Sequence, residues 1–150
     1  MSNEEYEQTA DDDETPEQRA QLELKRAYVQ LGFGQFDEAM ASCDRAAELV
    51  GEHYLPDTLR GAILSASGRH ADALAELKRV RKRYPSQALP HLYFAEACYL
   101  SGRERQGERA LEDADGCEMS EHEAEFSSQL RQLWNQVEPE DVPPPLEPVQ

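Results

Sequence analysis

Cys43, Cys98 and Cys117 are the only thiols in this 150-residue chain, and His53, His70, His91 and His122 its only imidazoles. Any thiolate nucleophile, imidazole base or soft metal ligand has to come from these side chains, and their spacing argues against each use. His122 and Glu123 open an H-E-x-x pattern, but the next ligand position is Phe126, which cannot hold zinc. The other three histidines stand far apart, none with a second ligand at metal spacing. The acidic clusters near both termini lack the alternating ligands and turn glycine of a calcium loop. There is no glycine-rich phosphate loop, no G-x-S-x-G turn and no nucleophile beside a plausible base. The expectation is a protein that is not an enzyme and has no catalytic residues, no metal and no cofactor.

The elements that carry these residues are helices. The chain is 39% hydrophobic, rich in Leu and Ala and poor in Val and Ile, which favours helix over sheet. Its formal charge of −16 is unevenly spread. Residues 1–18 hold eight acids and no base, and residues 138–150 hold four more acids, so the part between carries only −4. The acidity therefore belongs mainly to two acidic tails, expected to be disordered at 1–15 and, with a run of prolines, at 139–150. A near-neutral centre with acidic flanks offers no basic footprint, so no nucleic acid partner is expected. No stretch approaches the ~20 apolar residues of a membrane span, and the acidic start has no signal-peptide pattern. No membrane insertion and a cytoplasmic location are expected, and three unpaired cysteines agree with a reducing compartment.

One offset organises the centre. Gly34, Gly68 and Gly102 are 34 residues apart, and four further registers keep the same interval: Ala27/Gly61/Ala95, Ala39/Ala73/Gly107, Cys43/Leu77/Leu111 and Ala46/Val80/Ala114. Small side chains at two of these registers let antiparallel helices approach closely, and the larger apolar groups fill the space between. The three glycines fall where a positive φ can end a helix. Each unit is thus a helical hairpin, with helices expected at 16–32, 36–50, 55–67, 70–84, 88–101 and 104–116. Thr15, Pro16 and Gln18 form a capping-box start. A second box, Ser120 with Glu123, opens a seventh helix, in which Phe126, Leu130, Leu133, Trp134 and Val137 recur at helical spacing before Pro139. That helix suits the role of covering the last exposed face of the array. Cys43 and Cys98 fall at packing positions and are expected to be buried and inert, and Cys117, in a loop, to be more reactive.

The small-residue registers, the glycines between helices and Pro85 at the close of the second unit resemble the tetratricopeptide repeat family over residues 20–121. Departures are Glu23, Asp57 and His91 in place of an early aromatic, and Gly51 and Met119 in place of the closing proline. The resemblance implies an all-α, right-handed superhelical array of three helical hairpins plus a C-terminal capping helix, one domain over 16–138. It also implies a concave groove lined by the first helix of each unit. Carried over by phase, the lining is Gln21, Leu55 and Leu89; Leu24, Thr58 and Leu92; Tyr28, Ala62 and Glu96; Leu31, Ser65 and Tyr99. Such a surface suits an extended peptide client with leucine or proline anchors. Leu24, Tyr28 and Leu31 stand where related proteins carry a basic carboxylate clamp, so binding of an acidic chaperone C-terminus is not implied.

Three repeats, a covering helix and an apolar groove are similar to the bacterial type III secretion chaperones of the translocator or needle-subunit class. The stretch from Leu89 to Tyr99 is the most suggestive. That likeness implies a cytosolic chaperone holding a secreted subunit, as monomer or homodimer; the alternative is a structural adaptor or scaffold joining subunits of a larger bacterial assembly. The basic run Lys78, Arg79, Arg81, Lys82 and Arg83 sits at a helix end, where cations meet the negative pole of the dipole, and could also meet an acidic segment.

Overall fold

A computed structural model describes residues 14–136. The acidic and proline-rich stretches lie outside the described residues, apart from Glu14 and Thr15, and so does Val137. Seven helices follow one another: α1 (Pro16–Gly32), α2 (Phe36–Val50), α3 (Tyr54–Ala66), α4 (His70–Arg83), α5 (Ala88–Leu100), α6 (Glu104–Asp115) and α7 (Glu121–Asn135). Among the described residues there is no strand. The six repeat helices lie within about one residue of the positions expected from the spacing.

Local chemistry accounts for the boundaries. Thr15 Oγ1 accepts the Gln18 amide at 3.1 Å while Gln18 Oε1 accepts the Thr15 amide at 2.9 Å, which satisfies two orphan donors at the start of α1. Ser120 and Glu123 make the same reciprocal pair at α7, at 3.2 and 3.0 Å. At α3 the cap is His53, whose Nδ1 accepts the Leu55 amide at 3.1 Å. The first helix of each hairpin stops in one way. Gly34, Gly68 and Gly102 have φ of 74°, 86° and 73°. The residue after each donates to a carbonyl five positions back: Gln35 to Gln30, Arg69 to Leu64, Arg103 to Cys98, at 2.8–2.9 Å. That closure needs a left-handed residue, and glycine adopts it without a Cβ penalty.

The hairpins α1–α2, α3–α4 and α5–α6 pack internally, α2 and α4 join each to the next, and α1, α3, α5 and α7 meet in succession. The fold is therefore helical and repeat-like. Every residue of the four 34-residue packing registers is buried. Close approach is literal at two of them. A Cβ on Gly61 would overlap the Leu77 side chain, and one on Gly107 would come within 2.8 Å of the Tyr99 ring. Two apolar clusters result. One centres on Ala27, Cys43, Leu59 and Ile63, the other on Leu77, Leu92, Phe94, Leu111 and Leu130, and Tyr93 packs against both.

Candidate functional site

The odd-numbered helices present the site. Between α1 and α3 lies a cleft of about 420 Å³, lined by Gln21, Leu24, Lys25 and Tyr28 from α1 and by Leu55 and Leu59 from α3. Its apolar floor follows from the first cluster: Leu59 is 2% exposed and belongs to that core, with Leu24 packed against it. Tyr28 stays 45% exposed and forms one wall. Its hydroxyl comes to 3.4 Å of the Tyr93 hydroxyl on α5. Tyr93 in turn meets Phe126 of α7, with ring centroids 5.1 Å apart and planes at 50°, a favourable tilted contact. An aromatic band thus crosses from α1 through α5 to α7, with the cleft at its α1 end.

The cleft brings together Gln21, Leu24, Tyr28 and Leu55 of the residues expected from the repeat phase. Leu31 and Leu89 are half-buried, Leu31 against the first cluster. Thr58, Ala62, Ser65 and Leu92 are buried, so the continuous lining expected through them is corrected: a docked peptide has no access to these side chains. Thr58 Oγ1 bonds back to the Tyr54 carbonyl at 2.5 Å. Leu92 is core of the second cluster. The reason is crowding. α1 packs mainly on α2 and α3, with Tyr28 reaching Tyr93, whereas α5 packs on α3, α4, α6 and α7; on α5 Leu89, Tyr93, Glu96 and Tyr99 keep partial exposure and Leu100 at its end is exposed. Tyr93 and Phe126 were missed for that reason; the available signal was the i, i+4 relation of Tyr93 to Leu89 and the aromatic type of both. Tyr99 stacks on Trp134 at 4.5 Å and 19°, so it serves the docking of α7.

Electrostatically the face is quiet. Glu96 is held above its ordinary range by loss of solvent. Tyr93 is raised, chiefly by burial and then by its neighbour Tyr28. Burial also pushes the Cys43 thiol up to about 12 and the Cys98 thiol to about 11, which makes both poor nucleophiles. His91 Nε2 lies 2.8 Å from the Pro85 carbonyl, and its Nδ1 accepts from Arg81 at 3.2 Å. Among the described residues no three His, Cys, Asp or Glu side chains gather as a metal site, and no helix is long and apolar enough to cross a membrane. The arrangement can bury apolar side chains of a ligand.

A scan of protein-family models matches none to this chain, and a search of curated proteins returns no match.

Proposed function

We propose that this chain is a non-catalytic binding module of tetratricopeptide type, three hairpins in a right-handed array with α7 as cap, which holds an extended segment of a client polypeptide. The observation that carries this reading is the cleft of about 420 Å³ between α1 and α3, whose walls are Leu24, Tyr28 and Leu55. An exposed tyrosine beside leucine-lined space is the composition of a binding hot spot, because the ring buries a large area at low entropic cost. The 34-residue registers and the contact order of the helices support the repeat assignment. The client class that best fits is the one suggested by the likeness to type III secretion chaperones: an aggregation-prone secreted subunit, held in the cytoplasm through leucine or proline anchors.

The test is a titration of the full chain with a fluorescent extended peptide carrying leucine and proline anchors. Tyr28→Ala with Leu55→Ala should weaken binding about tenfold or more, with helical circular dichroism unchanged. Binding that survives the double substitution sinks the reading.

A further inference from the structure

A second cleft, of about 500 Å³, lies on the side of the even-numbered helices. Lys78 and Arg81 of α4, Arg103 at the cap before α6, and Arg109 and Asp113 of α6 line it, above an apolar floor of Leu74 and Phe94. Acids outnumber bases 31 to 15 in this chain, and carboxylates reach most of the neighbouring arginines: Arg79 meets Asp57 and Glu76, and Arg83 meets Glu52. In the cleft the pattern differs. Arg81 is held at 2.6 Å by Asp113 and lies 4.7 Å over the Phe94 ring. Lys78, Arg103 and Arg109 have no carboxylate within 4.0 Å among the described residues. Three cations without a carboxylate partner among the described residues, set around an apolar floor, form a complementary surface for carboxylates.

We infer that this cleft docks an acidic peptide segment of a partner protein, its carboxylates on Lys78, Arg103 and Arg109 and an interspersed apolar side chain on Leu74 and Phe94. The apolar floor favours a peptide with mixed acidic and apolar residues over a bare anion. One cleft of this size, with Asp113 in its lining, is too small a basic footprint for the continuous phosphates of a nucleic acid. The inference is independent of the cleft between α1 and α3, which opens between different helices.

The experiment is fluorescence anisotropy of the full chain with a labelled peptide in which leucines alternate with pairs of glutamates. Saturable binding that weakens with added salt is expected. Lys78→Glu, Arg103→Glu and Arg109→Glu together should weaken it by about tenfold or more. A control with the same change in net charge, Arg19→Glu, Lys82→Glu and Arg105→Glu, should stay within about threefold. Tyr28→Ala with Leu55→Ala should leave this binding unchanged, which separates it from the client reading. Equal losses in the cleft variant and the control, absence of binding by the unaltered chain, or tighter binding of a duplex DNA of matched charge would each overturn the proposal.

Discussion

The helices α1 and α5 hold equivalent places two units apart, yet their environments are opposite. Only Ala20 and Ala27 are buried on α1, whereas α5 buries eight residues from Ala88 to Cys98. On α1, Leu22 and Val29 remain 48% and 59% exposed, and Phe33 at its C-cap 78%; on α5 Leu92, Phe94 and Cys98 are sealed, and Leu100 at its end is 59% exposed. The same repeat register therefore yields a sealed helix where neighbours stand on both sides and an open one at the end of the row. Burial concentrates around α5, and the cleft between α1 and α3 lies against a helix with only two buried residues.

The sharpest way to break this comparison is to truncate one side chain in each place. Leu92→Ala removes a side chain with no exposure from the larger cluster. It should cost about 2–5 kcal/mol in urea unfolding, through lost burial and the cavity left behind. A cost below about 1 kcal/mol would mean that Leu92 faces open space and that α5 is not the sealed helix.

A smaller effect is expected at Gly107. Alanine there gains helix propensity, worth about 1 kcal/mol, but its Cβ would press on the Tyr99 ring at 2.8 Å. Tyr99 cannot retreat freely because it stacks on Trp134 of α7. Overpacking costs about 1–3 kcal/mol, so Gly107→Ala should be net destabilising by about 1 kcal/mol and should alter the near-ultraviolet dichroism of Trp134. Unchanged dichroism with raised stability would show that α7 adjusts easily.

These contrasts mark what was legible in the residues. Helix limits were readable because capping boxes and positive-φ glycines are local: Thr15 with Gln18, Ser120 with Glu123 and Gly34, Gly68 and Gly102 act through neighbours a few positions away. The site was only partly readable. Leu24, Tyr28 and Leu55 could be placed by phase, but Thr58 and Leu92 were assigned to a surface and lie in the core. Phase assumes that every unit meets the same surroundings, and α5, enclosed by four helices, does not meet those of α1. The tertiary partners of Tyr93 and Phe126 come from different units, and no spacing within one unit encodes them.

The two buried thiols sharpen the comparison by pH. Cys43 sits in the first cluster with its pKa raised from 9.0 to about 12, chiefly by desolvation. Cys98 sits in the second, at about 11, because Arg103 and Arg81 partly offset the burial. In each the folded state keeps its proton where the unfolded chain has lost it. The contribution is fully present below about pH 9 and is lost as pH rises toward the folded values. The urea midpoint should therefore fall between pH 8 and about 10.5, and Cys43→Ala should remove more of that fall than Cys98→Ala. A midpoint that does not move would place both thiols in contact with water.

The smallest effect is expected on the outer face of α1. Val29 and Phe33 are 59% and 78% exposed, so Val29→Ser with Phe33→Ser removes little packing and should change stability by no more than about 0.5 kcal/mol. The measurement discriminates because α1 already lacks a neighbour on that side, and the cost of a polar replacement reports whether anything else covers it. A loss of 2 kcal/mol or more by the scale of buried apolar side chains, growing with protein concentration, would mean that a second copy packs on α1. The open helix would then be sealed in the assembly, and the difference from α5 would be one of partner rather than of burial.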